Sequence, residues 1–229
     1  MADIKAELID VMGDDLRVAN AARVSFDKQH DTFTLSADVA KGSDEGLIKY
    51  LAKHKHWTPF SHPMITIRET VPIFVARQRF KHMVGFTYNE VSRRYVDTPP
   101  EFYVPDVWRS RPEDGIKQGS GDKPVTALRH CPYEWEGMRT KDAYESLLET
   151  AEGLYNSLLA SGVAPEMARM VLPQSMMTSY YVTGSLYAFA NAYRQRIDPH
   201  SQKEIQMLAK QWDDIIRPLF PHSWEALTS

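Results

Sequence analysis

The stretch MITIRETVPIFVARQRFKHM, residues 64–83, carries the two periodicities that decide the fold. Ile65, Ile67 and Val71 share one face of an alternating run, so residues 64–71 read as a strand. Pro72 then stands where proline is favoured, in the first turn of a helix that the spacing predicts through about Met83. Outward from this pair the chain is mostly helical in pattern. Residues 11–25 read as a helix after a Gly13–Asp14 cap, with Leu16, Val18, Ala19 and Ala22 on one side. Residues 28–43 are polar and mixed, and read as a loop. Ser43 caps a further helix through His54, on which Leu47, Ile48 and Leu51 gather. EFYVP, residues 101–105, reads as a short extended piece. Apolar spacing then marks helices from Tyr144 to Leu159, from Pro165 to a stop at Pro173, around Leu186–Tyr193, and last from Ile205 to Leu219. The pattern predicts an α+β protein: a helix-rich single domain, residues 1–229, with a small central antiparallel or mixed sheet. Residues 105–133 hold prolines and SGSGD-type punctuation, and read as a long loop inserted in that domain.

Composition narrows the function classes. Of 229 residues, 43% are apolar and 25% charged, which is ordinary for a soluble globular chain. Apolar runs such as Ile73–Ala76 fall far short of the ~20 residues that span a bilayer. MADIKAELID places charges where a signal peptide needs its apolar region. A cytoplasmic protein with no membrane partner is therefore expected. Cys131 is the single cysteine, so no disulfide framework is possible. The net charge of −3 argues against a surface built for nucleic acid. Neither GxGxxG nor GxxxxGK[ST] occurs, which removes the usual dinucleotide and Walker loops.

One segment runs against the global charge. Residues 77–95, RQRFKHMVGFTYNEVSRRY, hold Arg77, Arg79, Lys81, Arg93 and Arg94 against Glu90 alone, a local +4. Arginine forks suit phosphate, and Asn89 and Ser92 add neutral hydrogen-bonding groups. A solvated charged face would have the same composition, so composition leaves both readings open. A C-terminal group, Arg169, Asn191, Arg194, Arg196, His200, Gln202 and Glu204, is polar within helices patterned for a core. Structural ion pairs would explain it as well as a site would. His54, His56 and His62 have a loose metal-site spacing but no carboxylate nearby at a telling interval, so no metal is expected. Cys131, in RHCPYEW, is a thiol beside Arg129 and His130 with no fixed base.

Several of these segments, taken together, are familiar. VMGDDLRVANAARVSFD (11–27), HKHWTPFSH (54–62), PIFVARQRFKH (72–82), NEVSRRY (89–95), EFYVP (101–105), ARMVLP (168–173) and NAYRQRIDPHSQKEI (191–205) occur in the order and spacing of flavin-dependent thymidylate synthases. The chain resembles that family over nearly its full length. The resemblance implies reductive methylation of deoxyuridylate (dUMP) to thymidylate. The carbon would come from 5,10-methylenetetrahydrofolate, and the hydride from non-covalently held FAD reduced by NADPH. It further implies a homotetramer with active sites shared between subunits, and no cysteine nucleophile. Matched residue by residue, it places Gln78, Glu90, Ser92, Arg93, Arg94 and Arg169 at dUMP-binding positions. Arg196 falls where an arginine polarises the pyrimidine, and is the catalytic candidate. Ser25, His56, Thr58, Lys81, His82, Asn89, Glu90 and Asn191 fall at flavin-binding positions.

The departures gather on the flavin side. Where the family has Arg-His-Arg, two residues and a Ser, this chain has Lys81-His82-Met83, three residues and Thr87. Arg79 replaces a common aromatic and is expected to supply the missing charge from a new position. Ser185 and Tyr187 replace an Asn and an Arg that usually touch flavin.

Overall fold

The computed structural model describes residues 2–35, 42–96, 98–112, 119–131 and 133–229. Its scaffold is a four-stranded sheet of order β1 (Lys5–Met12), β2 (Met64–Pro72), β4 (Met177–Ser185) and β3 (Phe86–Glu90), every pair antiparallel. The expected α+β architecture is present. Sequence patterning anticipated β2 alone; β1, β3 and β4 went unread. Residues 11 and 12, expected to begin a helix, instead close β1, which bulges at Ile9. Helix α1 (Asp15–Arg23) starts only after Gly13 turns the chain at φ +87° and the Asp14 carboxylate accepts from Arg17 N at 2.8 Å.

Helix α2 (Asp44–Lys53) has the expected cap, Ser43 Oγ accepting from Gly46 N. The 140–160 pattern is α4 (Thr140–Ala160), which packs against the short α5 (Pro165–Ala168). Helices α6 (Leu186–Arg196), α7 (Lys203–Ile216) and α8 (Pro221–Thr228) complete the chain. Helix α8 was not anticipated; Pro221 in its first turn restarts the helix after Phe220. Residues 105–112, 119–131 and 133 carry no long regular element, as expected of the loop, only a short 3-10 turn and isolated bridges such as Arg109 to Pro124.

The core lies between one sheet face and the C-terminal helices. Ile65, Ile67, Val71, Tyr180 and Val182 meet Phe189, Leu208, Trp212 and Trp224, all essentially inaccessible. The opposite face presents Arg68, Thr87, Asn89 and Tyr181, which are exposed. Alternation along β2 thus sorts polar from apolar side chains as the period of two demands.

Glu69 breaks that alternation, since it stands on the core face between Ile67 and Val71 with no exposure. Helix α3 (Ile73–Arg79) brings Arg79 to it, and Arg79 too is 0% exposed. Arg79 Nε donates to both Glu69 oxygens at 3.2 Å. Tyr180 Oη donates to the same carboxylate at 2.7 Å and Trp212 Nε1 at 2.9 Å. The guanidinium lies 4.2 Å from the Phe86 ring centre and 4.7 Å from that of Trp212. Arg79 therefore supplies no charge to an open site, contrary to expectation: its charge is neutralised in the core.

Helix α3 also stops earlier than predicted, at Arg79 rather than Met83. Gly85 adopts φ +78°, and a Cβ there would lie 2.9 Å from Ala188 Cβ. The chain turns at this glycine into β3 instead of continuing as a helix.

Breaking one partner of a buried pair strands the other charge. Arg79→Met is expected to lower unfolding free energy by ~3–5 kcal/mol. The double variant Glu69→Gln, Arg79→Met should regain more than half of that loss, because the amide still serves Trp212 and Tyr180. Urea titrations of the three proteins measure both numbers; equal losses in the single and double variants would contradict the account.

Candidate functional site

The residues flagged in the sequence gather in three places. The first is a cavity of about 1280 Å³ between the β4–β3 edge, α3 and the turn after α5. Glu90, Ser92, Arg93, Arg94 and Arg169 line it. So do Arg68 and Arg77, making five arginines against Glu90 and Glu101. Such a wall holds a polyanion in preference to any neutral ligand. Arg68 was missed by sequence reasoning, although the alternation that makes residues 65, 67 and 71 core-facing already turned it outward. The arginines are not equivalent. Arg93 donates to the carbonyls of Thr98 and Pro99, so it ties down the loop after β3. Arg68 Nε donates to Ser179 Oγ at 3.0 Å. Arg94 Nε reaches Ser92 Oγ at 3.1 Å and its guanidinium lies over Tyr95. Arg169 is exposed, and its Nε donates to the Glu166 carbonyl at 3.3 Å. Glu90 accepts from Thr178 Oγ1 at 2.7 Å, which fixes its carboxylate at the cavity wall.

Gln78 and Arg196 do not line this cavity. Their place is the far side of α3. Arg196 Nε donates to His82 Nε2 at 2.8 Å, and its NH2 donates to the Gln78 carbonyl at 3.3 Å. Gln78 Nε2 donates to Gln202 Oε1 at 2.7 Å. Arg196 and Arg194 diverge as helical neighbours two apart must: Arg194 is exposed and bonds Asn191. An arginine Nε–H can only donate, so His82 Nε2 must be an unprotonated acceptor. Electrostatics agree. Burial first, then Arg196, then Arg79 push the imidazole down to about 4. His82 is thus neutral at pH 7 and carries its proton on Nδ1.

The third place is a cavity of about 1060 Å³ between α1, α2 and the turn at residues 56–62. Ser25, His56 and Thr58 line it, with Arg23, Lys28, His30, Tyr50 and Phe26. Arg23 is engaged with Asp44 and the Gly42 carbonyl. Burial alone would raise the Asp44 carboxyl, but hydrogen bonds from Thr34 and His30 and the Arg23 charge hold it low. Lys81, Asn89 and Asn191 do not line this cavity. Ser185, a departure from the family pattern, caps α6 by accepting from Ala188 N at 3.2 Å. Tyr187, the other, packs near Trp57.

Cys131 lies in the long loop, with Sγ 3.7 Å from a Glu136 oxygen. Partial burial first, then that carboxylate, raise the thiol's pKa, the reverse of what a nucleophile needs. Among the described residues no three His, Cys, Asp or Glu side chains converge as a metal site would require. No described helix is long and apolar enough to cross a membrane.

Known proteins resemble this chain over most of its length. A family profile described as thymidylate synthase complementing protein matches residues 7–222. The chain belongs to the flavin-dependent thymidylate synthase family. The flavin-dependent thymidylate synthase of Thermosipho africanus is 39% identical over 220 residues, spanning 96% of this chain and 88% of the relative. One from Thermus thermophilus is 34% identical and spans 96% of this chain and 73% of the relative. Among solved structures, a UMP/dUMP methylase, PolB from Streptomyces cacaoi bound with 5-Br dUMP, superposes with a TM-score of 0.75 at 31% identity, covering 100% of this chain and 96% of that one.

The neutral His82 carries a pH signature. Its folded pKa lies below the ordinary histidine value of about 6.5, so the unfolded chain binds more protons between the two values. Stability should therefore rise with pH from about 4 to about 6.5 on this account, and be flat in this contribution above that. Histidine NMR should find one ring titrating near pH 4, and Arg196→Ala should move that midpoint upward. A ring that titrates at the same pH with and without Arg196 would remove the contact.

Proposed function

We propose that this protein is a working flavin-dependent thymidylate synthase that methylates dUMP to thymidylate, and that the arginine-lined cavity is where it takes the nucleotide. The observation that carries this reading is the cavity wall itself. Five arginines and a tethered Glu90 surround a space suited to a phosphate dianion on a hydrogen-bonding pyrimidine. Arg94 and Arg169 are the phosphate ligands; Arg93 contributes mainly by holding the loop. Ser92 and Glu90 supply neutral and acceptor contacts beside them.

Arg196 and Gln78 stand apart from that wall within one protomer, and so do the Ser25–His56–Thr58 residues. An active site assembled from more than one copy accounts for the separation. The homotetramer that the resemblance implies supplies such copies, and the exposed outer sheet face offers surface for their contact. The cavity between α1 and α2 fits FAD in kind: hydroxyls, imidazoles and Lys28 suit a diphosphate, and Phe26 and Tyr50 offer apolar floor. Lys81, His82, Asn89, Asn191 and Glu90 complete the flavin contacts from their separate positions.

FAD, when bound, supplies hydride chemistry, with NADPH as the reductant and 5,10-methylenetetrahydrofolate as the carbon source. The chain's own task is orientation and charge. Negative charge grows on a ring oxygen as the pyrimidine becomes enolate-like, which is what makes its carbon nucleophilic toward the one-carbon unit. A fixed Arg196 guanidinium stabilises that developing charge more than the ground state. The phosphate charge barely changes during the reaction, so its arginines bind substrate and transition state alike.

The direct test supplies dUMP, methylenetetrahydrofolate, NADPH and FAD and follows thymidylate. Saturable FAD binding by the apo-protein, read by fluorescence with dUMP present, is expected alongside it. Product without FAD, or no saturable FAD binding, overturns the flavin reading. UMP belongs in the same assay, because the superposed neighbour is named for both nucleotides; deoxyuridylate is expected to be preferred.

Kinetics of three variants separate the roles. Arg196→Ala should reduce turnover at saturating dUMP by roughly a hundredfold or more. Arg94→Ala should chiefly raise the dUMP requirement. Cys131→Ala should turn over within about twofold of the parent, since a thiol beside Glu136 is no nucleophile.

A further inference from the structure

The Glu69–Arg79 pair does not end in the core. Arg79 NH1 donates to Tyr88 Oη at 2.7 Å, and Tyr88 Oη donates onward to the His82 carbonyl at 2.6 Å. Tyr88 is also wedged between rings: Phe80 lies 4.9 Å away centre to centre, and Tyr180 6.1 Å. The His82 imidazole then accepts from Arg196. A continuous set of contacts therefore runs from a buried carboxylate on β2 to the guanidinium proposed to act on the pyrimidine. The links are held tightly; the Tyr88 hydroxyl also lies 3.3 Å from the Arg79 carbonyl, with the His82 carbonyl the nearer acceptor. Glu69 is fixed by four hydrogen bonds, and Arg79 by Glu69 and the surrounding rings. Tyr88 cannot leave Arg79 without stranding NH1 of a buried guanidinium whose NH2 already lacks a partner. The segment this secures needs securing: Met83 and Val84 are 75% and 93% exposed, and the turn hangs on Gly85.

We propose that Tyr88, seated by the buried Glu69–Arg79 pair, is a positioning residue for the reaction: it pins the 82–85 turn through the His82 carbonyl, and so aims His82 and, through it, Arg196. This rests on the role assigned to Arg196 above. Tyr88 does not touch substrate. Its hydroxyl stays protonated throughout, because burial pushes it up to about 12. The groups acting on the His82 ring are Arg196 from α6 and Arg79 from α3, with Lys81 adjacent in the chain.

Tyr88→Phe tests the relay, because it keeps the ring packing and removes only the hydroxyl. Two readouts are taken on the full-length protein. Freed from its anchor, His82 should lose its alignment with Arg196, and its NMR midpoint should rise from about 4 toward the ordinary value. Turnover at saturating dUMP should fall about tenfold or more, with the dUMP KM changed less than about threefold. Tyr180→Phe is the control. It removes one bond to Glu69 while Arg79 still holds both carboxylate oxygens, so stability should drop and the His82 midpoint should stay. An unchanged His82 midpoint in folded Tyr88→Phe overturns the proposal, as does an equal shift in Tyr180→Phe, which would mark general loosening. If the parent makes no thymidylate, the functional reading fails, and the His82 readout still decides the relay.

Discussion

A carboxylate and a guanidinium with no access to water sit where sheet, α3 and α7 meet. Two such charges are costly to bury, and they persist only if they are paired and well supplied with hydrogen bonds. The Glu69 carboxylate is supplied by Arg79, Tyr180 and Trp212, each from a different element. The requirement makes β2, α3, β4 and α7 mutually dependent. None can shift by a residue without breaking a hydrogen bond to a buried charge. Hydrophobic packing alone would tolerate more slip, because apolar contacts are non-directional.

That constraint also explains the local geometry that function uses. Arg79 ends α3 and faces inward, so the chain beyond it must turn outward. The turn at Gly85 carries His82 to the side of α3 where Arg196 arrives on α6. A neutral imidazole there accepts the Arg196 Nε–H, and the Gln78 carbonyl accepts from the same guanidinium, so two contacts set its plane. The arginine cavity forms on the other side of α3, where Arg77 projects beside Arg68, Arg94 and Arg169. One short helix thus separates a wall of five arginines from a single arginine held by His82.

The clustering of charge was legible in residue types. The local +4 against a net −3 marked residues 77–95, and five of the flagged positions do line one cavity. The order of the short segments pointed to the family that the comparisons then showed. Arg79 misled the reading because its charge, seen alone, suggests solvent or ligand. The cue that would have corrected it was Glu69, a carboxylate on the core face of a cleanly alternating strand. A charge at such a position demands an opposite charge in the core, and Arg79 is ten residues on.

What the sequence determined by itself was periodicity and capping. The Asp14 and Ser43 caps, the β2 alternation and the apolar stripes of α4, α6 and α7 are local, and local spacing suffices to read them. Strand β4 escaped because MTSYYVTGS gains its meaning only from pairing with β2 and β3, both far away in the chain. Strand β3 escaped because its identity depends on a turn that Arg79 and Gly85 impose. Only the tertiary structure decided which arginines face a cavity, which one is buried, and which one meets His82. A guanidinium has the same sequence signature in all three settings; the partners that distinguish them come from Glu69, Thr98 and His82, brought together by long-range packing.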